Sequence, residues 1–167
     1  MLFLSGLSGQ GPKRELQSYA GLAIWLLLSF AAGWFGSQFE PGPWYAQLKK
    51  PGWTPPSSVF PPVWTALYVM MAVAAWLVWR RQGFRGAPAA LSLYLLQLAL
   101  NAGWSWLFFG LQWPGVAAVE LALLWLVLGM TVVGFYRHSA AAGLLLVPYL
   151  LWAGYAAILN FRIWQYN

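Results

Sequence analysis

The sequence predicts an all-α integral membrane protein, a single bundle of five transmembrane helices whose long first loop caps an internal cavity. Of its 167 residues, 61% are hydrophobic and only 7% are charged, whereas a water-soluble domain carries far more charge. Backbone groups that face lipid must be paired within the protein, so only helices and closed barrels span a membrane. The apolar runs here are continuous, which favours helices over the alternating pattern of a barrel strand.

The five predicted spans each have about the 20 residues needed to cross the hydrocarbon. They lie at about residues 18–37, 62–79, 88–109, 114–136 and 141–164. The segment before them, residues 1–17, contains glycine and serine and is predicted to be a disordered tail. Its apolar part is too short for a signal peptide. The links after the second, third and fourth spans are short, which predicts antiparallel neighbours.

The first loop, residues 38–61, is the only long link. Residues 49–65, KKPGWTPPSSVFPPVWT, contain five prolines, which lack an N–H donor and restrict the residue before them. We therefore expect ordered loop or extended backbone there, with no helix. Because the segment also carries Trp53, Phe60 and Trp64, it predicts an apolar chamber beneath the loop.

Basic residues give the expected orientation in the membrane. The net charge of +6 comes from nine basic and three acidic residues. Their positions at helix ends and loops favour lipid headgroup contact over nucleic-acid binding. Since most of them fall on the N-terminal face, the positive-inside rule predicts a cytoplasmic N-terminus, with the loop and the C-terminus opposite. That face would carry Lys13, Arg14, Arg80, Arg81, Arg85 and Arg137.

Tryptophans and buried polar groups gather in the loop-bearing half. Two interfacial belts would spread tryptophan evenly and would explain no intramembrane polar group, so the asymmetry predicts a ligand site under the loop. The polar residues in this half are Asn101, Glu120 and Asn160. Of 13 tryptophans, eight belong to it, namely Trp34, Trp44, Trp53, Trp64, Trp104, Trp106, Trp113 and Trp164.

The polar residues inside the spans have two interpretations. Gln97 and Asn101 share one helix face, where they either form interhelical hydrogen bonds or line a cavity. Glu120 is the only acidic residue within a span, and we expect it to face the bundle interior, either protonated or bonded to Asn101, Asn160 or Arg162. A proton relay would need further ionisable groups along a path, and the sequence shows no such path.

Helical spacing places four residues of the last span on one face: Trp152, Ala156, Leu159 and Asn160. In the third span, Ala99 and Gly103 form a small-xxx-small pair that lets another helix come close. That pair serves either a homodimer interface or packing within the monomer.

Several kinds of chemistry are excluded by the residue types. The chain has no cysteine and a single histidine, His138, in a short link, so no metal site is expected and haem would lack a histidine ligand in the pocket. Neither a catalytic triad nor a nucleotide-binding fingerprint is present. No cofactor is required by this sequence, and a cyclic ligand would be held by stacking and burial.

Several ordered strings resemble the translocator protein family, also called tryptophan-rich sensory proteins or peripheral benzodiazepine receptors. The resemblance covers the chain from about residue 19 to its end. The matching strings are Trp44-Tyr45, KKPGWTPP at 49–56, FPPVWTALY at 60–68, QLALN at 97–101, PYLLW at 148–152 and LNF at 159–161.

The resemblance implies five packed helices around a cavity that binds porphyrins such as protoporphyrin IX and haem, synthetic benzodiazepine-type ligands and, in animals, cholesterol. The animal cholesterol motif is not matched, because Phe161 and Gln165 stand where that motif has Tyr and Arg. The lid would comprise Trp44, Tyr45, Pro51, Pro55 and Pro56, together with Trp53. The ligand-binding residues would be Trp53, Trp64, Asn101, Trp104, Glu120, Leu123, Trp152, Ala156, Leu159 and Asn160.

Three functions remain open at this point. The first is a membrane receptor or carrier for tetrapyrroles and other flat hydrophobic molecules, acting in tetrapyrrole regulation or stress sensing. The second is an enzyme, since some bacterial members of the family are reported to degrade protoporphyrin with light and oxygen; the residues linked to that reaction would be Trp64 and Trp152. The third is a structural or regulatory membrane partner.

Overall fold

The computed structural model describes residues 12–167, and every regular element in that part of the chain is helical. Within it, four helical segments are long and apolar enough to cross a membrane: Leu16–Ser37, Ser57–Gly86, Pro114–His138 and Ala140–Tyr166. The prediction of an all-α membrane protein is therefore confirmed. The elements are α1 (Pro12–Ser37), α2 (Pro43–Gln47), a 3₁₀ turn (Ser57–Val59), α3 (Phe60–Gly86), α4 (Pro88–Ser105), a π-helical turn (Trp106–Gly110), α5 (Pro114–His138) and α6 (Ala140–Tyr166).

Proline marks the start of most of these helices. Pro43, Pro88 and Pro114 each occupy the first turn of α2, α4 and α5, where the missing N–H would have had no partner. For the same reason Pro61 and Pro62 lie in the first turn of α3. The expectation of no helix within residues 49–65 was therefore wrong from Phe60 onward, and the span predicted from about residue 62 begins two residues earlier. Trp64 consequently belongs to a helix.

The first loop and the tail also differ from expectation. Residues 38–61 contain the short helix α2 and the 3₁₀ turn as well as extended backbone. At the N-terminus, α1 already begins at Pro12, so residues 12–17 of the predicted disordered tail are helical. Residues 1–11 of that prediction lie outside the described residues.

The long helices form a closed ring in the order α1, α3, α6, α5, α4 and back to α1. The links from α4 to α5 and from α5 to α6 join close neighbours, as their lengths predict. By contrast α3 touches α4 only lightly, because α1 packs against both. The helical path of α3 is interrupted at Gly83, whose positive φ of 64° suits glycine, and the turn after it carries the chain across.

Two groups of buried side chains fill the ring. The larger group runs from the half of the bundle away from the loop up to Tyr68, and it includes Tyr94, Phe135 and Tyr149, which are fully buried. The smaller group lies at the loop end and centres on Phe108 and Leu159. The candidate site lies between the two groups and the first loop.

Candidate functional site

The first half of the loop is held down by aromatic contacts of α2. Trp44 and Tyr45 pack edge-on against Phe108, at 5.8 and 6.1 Å between ring centroids, and Tyr45 also meets Phe109 at 5.5 Å. Lys50 Nζ donates to the Tyr45 carbonyl at 2.6 Å and lies 4.5 Å from the centroid of its ring. Burial raises the pKa of the Tyr45 phenol above its ordinary value, so this ring stays neutral. The predicted lid residues Trp44 and Tyr45 therefore cover the π-helical turn.

The middle of the loop is tied at two points to α6 and to the residue that follows it. The Tyr155 hydroxyl donates to the Trp53 carbonyl at 2.9 Å, and the two rings meet edge-on at 5.5 Å. Lys49 and Asn167 exchange two hydrogen bonds, each 3.0 Å long, between the Lys49 backbone and the Asn167 side chain. Among the predicted lid prolines, Pro51 is buried, Pro55 is half-buried and Pro56 is exposed.

Beneath the loop, aromatic side chains of α3 and α6 interlock. Trp64 stacks on Tyr68 at 5.5 Å and meets the edge of Tyr149 at 6.0 Å. Trp152 contacts Phe60 and Tyr155, both at 5.8 Å. We call these rings the aromatic cluster. It comprises two sets of contacting rings: Trp64, Tyr68 and Tyr149, and Trp53, Phe60, Trp152 and Tyr155.

Asn101 ties the base of this cluster together. Its Oδ1 accepts a hydrogen bond from the Tyr68 hydroxyl at 2.6 Å, and its Nδ2 donates to the Tyr149 hydroxyl at 2.8 Å. The interhelical interpretation of Asn101 is thus confirmed, and the bonds join α3, α4 and α6. Sequence reasoning missed Tyr68 and Tyr149, although Tyr68 lies one turn after Trp64 and both tyrosines fall within the matched strings.

A second polar link lies nearer the loop. Trp104 Nε1 donates to Asn160 Oδ1 at 2.9 Å, and Asn160 Nδ2 donates to the Pro114 carbonyl at 2.8 Å. The Trp104 ring stacks on Phe108 at 5.3 Å, so this link continues into the contacts that hold α2. It joins α4, α5 and α6 and fixes the predicted residues Trp104 and Asn160.

Glu120 has none of the partners expected for it. Both of its carboxyl oxygens are buried and without a hydrogen bond among the described residues. The side-chain N–H groups of Asn101 and Asn160 donate to Tyr149 and Pro114. Arg162 donates to Gln165 Oε1 at 3.1 Å. Glu120 therefore offers an unused acceptor beside α4, where an added Cβ on Gly103 would lie 3.9 Å from its Oε1.

The other predicted lining residues separate into two kinds. Ala156 is half-buried, and Leu159 is buried in the smaller core beside Phe108. Leu123 is half exposed on α5, so the structure does not bring it to the aromatic cluster. A match to a family motif carries no information on helix rotation, and here the side chain lies toward the outer surface.

Two open grooves stand out on the described chain, and neither contains Trp64, Trp152, Asn101 or Glu120. One, of about 900 Å³, lies between α2 and the start of α5; the other, of about 610 Å³, lies along α4 and α5. The expected capped chamber is thus not one of these two spaces. Trp64 and Trp152, which were expected to line the chamber, contact other aromatic side chains.

The residues present could hold a ligand by stacking and hydrogen bonding rather than by metal coordination. Among the described residues, no group of three His, Cys, Asp or Glu side chains is placed to hold a metal ion.

Comparison with known proteins gives extended matches. The sequence model of the TspO/MBR family matches residues 23–165. The chain is 43% identical over 153 residues to the tryptophan-rich protein TspO of Chlorobaculum tepidum, covering 87% of this chain and 95% of that protein. It is 39% identical over 146 residues to the translocator protein of Bos taurus, with coverage of 84% and 86%. It is also 39% identical over 132 residues to a tryptophan-rich sensory protein of Cereibacter sphaeroides, with coverage of 79% and 82%.

Proposed function

The chain belongs to the TspO/MBR family, and on that basis we propose that it is a membrane receptor or carrier for porphyrins and other flat hydrophobic molecules. The observation that carries the proposal is the aromatic cluster beneath the loop. Indole faces stack on extended π-systems, and burial of apolar ligand surface contributes roughly 25 cal/mol per Å². A flat macrocycle is the ligand shape that such a set of rings favours.

The ligand enters by separating rings that now touch each other. The middle of the loop is attached to α6 by the Tyr155–Trp53 bond and to the C-terminal residue by the Lys49–Asn167 pair. Both attachments are exposed hydrogen bonds, each of which contributes only about 1 kcal/mol. Loosening them frees Trp53 from Tyr155 and opens the side of Trp152 that faces the loop.

Polar groups around the cluster suit a macrocycle with acidic side chains. Lys49 and Arg162 are exposed at the loop end, where they meet ligand carboxylates, while Lys50 is already bonded to the loop backbone. Glu120 offers an acceptor to a ligand N–H. Replacing Lys49 and Arg162 by glutamate should weaken protoporphyrin binding, and unchanged affinity would remove this part of the proposal.

In the proposed topology all five long helices cross the bilayer. Gln97 and Asn101 make α4 more polar than the four candidate spans, but together with the π-helical turn it has enough residues to rise roughly 34 Å. The bundle satisfies both polar atoms of the Asn101 side chain, whereas Gln97 Nε2 donates only to Met71 Sδ at 3.7 Å and Gln97 Oε1 has no partner among the described residues. The N-terminus lies in the cytoplasm, with the loop and the C-terminus on the opposite face.

Ligand titration tests the proposal. Purified protein is titrated with protoporphyrin IX, a sterol and a benzodiazepine-type ligand, with quenching of tryptophan fluorescence as the signal. Trp152→Leu should weaken protoporphyrin binding at least tenfold, whereas Trp34→Leu, a change at a 67%-exposed site on α1, should leave it unaltered. Equal effects of the two substitutions, or no saturable binding by the unaltered chain, would contradict the proposal.

Contacts between tryptophan and tyrosine favour one second function, light-dependent breakdown of protoporphyrin. Trp64 and Trp152 each lie against a tyrosine ring, and such pairs are able to share an oxidised state. Under illumination in air, protoporphyrin in the complex should then be lost faster than free protoporphyrin. Trp152→Phe should slow the loss of the bound pigment. If turnover survives both Trp64→Phe and Trp152→Phe, the photochemistry belongs to the pigment alone.

A further inference from the structure

The groove along α4 and α5 lies outside the site described above. It runs on the outer surface of the bundle and has a volume of about 610 Å³. Its lining comes from the N-terminal half of α4 and the C-terminal half of α5, and it ends at Arg137 and His138. Since α5 is one of the candidate membrane-spanning helices, most of the groove faces hydrocarbon and its last turn reaches the membrane surface.

Small residues shape the groove and large apolar residues wall it. The floor is narrow where Gly134 meets Ala90, because an added Cβ on Gly134 would lie 3.3 Å from the Ala90 Cβ. At Gly129 an added Cβ would have no atom within 4 Å, so this position opens into free space. Trp125 and Met130 stand at the walls, 42% and 52% exposed. A narrow apolar groove of this kind suits an extended hydrocarbon chain.

The surface end of the groove is positively charged. Arg137 is exposed there, and the link from α5 to α6 contains no acidic residue. Of the three acidic residues in the sequence, Glu40 and Glu120 belong to the loop-bearing half, which leaves only Glu15 at this end. A guanidinium group matches phosphate oxygens in both charge and geometry. The groove thus joins an apolar trough to an anion-binding end at the depth of lipid headgroups.

We propose that this groove binds one anionic phospholipid, with an acyl chain lying along Trp125 and Met130 and the phosphate at Arg137. Basic pockets between transmembrane helices recognise anionic headgroups in this way. A second copy of the chain fits the groove less well, because two-fold packing on this face would bring two copies of Arg137 together. The inference is independent of what the aromatic cluster binds.

Native mass spectrometry of the delipidated full chain tests the proposal. The probes are phosphatidylglycerol and phosphatidylcholine with the same acyl chains. We expect one saturable phosphatidylglycerol site, and about fivefold weaker phosphatidylglycerol binding in Arg137→Gln, which corresponds to about 1 kcal/mol. The matched control is Arg81→Gln, an exposed arginine at the same end of the bundle that does not line the groove.

A second pair of variants tests the apolar part. Gly129→Leu places a side chain in the groove at a position where an added Cβ has no atom within 4 Å, and it should weaken binding of both lipids. Ala122→Leu makes a similar change two turns earlier on the exposed surface of α5, outside the groove, and should have no effect. Unfolding midpoints of all four variants establish that the fold is retained.

Three outcomes would overturn the proposal. Equal retention of the two lipids would show that the anionic headgroup is not selected. An equal loss in Arg81→Gln and Arg137→Gln would show a diffuse basic surface. If Gly129→Leu changed the ratio of monomer to dimer and left phosphatidylglycerol binding intact, the occupant would be a second copy of the chain.

Discussion

Substitution of Asn101 by leucine removes the group that joins the two tyrosines at the base of the aromatic cluster. Leucine is close to asparagine in size, so the change deletes hydrogen bonds and leaves little cavity. The Tyr68 and Tyr149 hydroxyls then lose partners at 2.6 and 2.8 Å. Because Tyr149 is 0% exposed, water cannot replace the bond that it loses.

The expected cost follows from these two bonds. A buried polar group left without a partner costs about 1–3 kcal/mol, and interhelical hydrogen bonds in membranes average about 0.6 kcal/mol. We therefore expect Asn101→Leu to lower the free energy of unfolding by about 2–4 kcal/mol. Tyr149 should account for the larger share, since Tyr68 is 8% exposed and retains some access to other partners.

A rescue variant separates hydrogen bonding from packing. Tyr149→Phe removes the stranded hydroxyl, so the double variant Asn101→Leu/Tyr149→Phe should recover at least 1 kcal/mol relative to Asn101→Leu. Unfolding in mixed micelles, followed by far-UV circular dichroism, measures both values. Tyr136→Phe, at a 55%-exposed site, is the control for hydroxyl removal. A double variant no more stable than Asn101→Leu would refute the reasoning, because the loss would then not arise at Tyr149.

Three further predictions concern other parts of the bundle. Glu120→Gln should leave the free energy of unfolding unchanged or raise it, since both carboxyl oxygens lack partners among the described residues. A decrease of more than about 1 kcal/mol in the free energy of unfolding would show that the carboxyl group has a stabilising partner. Gly143→Ala should cost about 1–3 kcal/mol, because an added Cβ would lie 2.8 Å from the α5 backbone; Gly42→Ala, with nothing within 4 Å, should be neutral in the same unfolding assay. Asn167→Ala should loosen the loop at Lys49 and speed its limited proteolysis, and an unchanged rate would show that the pair does not hold the loop.

The sequence predicts the helices well because their signals are local. A continuous apolar run needs no partner to be recognised, and a proline at position 88 or 114 marks a helix start on its own. The order of helices around the ring depends instead on which faces pack together, and α1 separates α3 from α4 despite their short link. A short link normally makes consecutive helices adjacent in the bundle, but the turn after Gly83 lets α4 lie away from α3.

The sequence predicted the candidate site where a polar side chain lies within an apolar span. Asn101 and Asn160 stand out as amides within apolar runs, and both bridge helices. Tyr68 and Tyr149 gave no such signal, since a tyrosine in a span is ordinary until its hydroxyl is seen to meet an amide. The prediction that Leu123 lines the site failed for a related reason. A leucine side chain packs equally well against lipid and protein, so the sequence does not show which of the two it faces.

Asn101 lies between two halves of the bundle that are packed differently. Away from the loop, the rings of Tyr94 and Phe135 stack at 5.7 Å within fully buried packing, and Ser29 bonds the Tyr94 hydroxyl at 2.6 Å. On the loop side of Asn101 the helices are joined by edge-on aromatic contacts and by exposed bonds to the loop. Edge-on ring contacts contribute about 0.5–1.5 kcal/mol each beyond burial, so under the proposed function a stacking ligand would replace them at little net cost. In the proposed receptor, the amide that fixes Tyr68 and Tyr149 would therefore limit the depth to which a ligand penetrates, and release of the loop would control its entry.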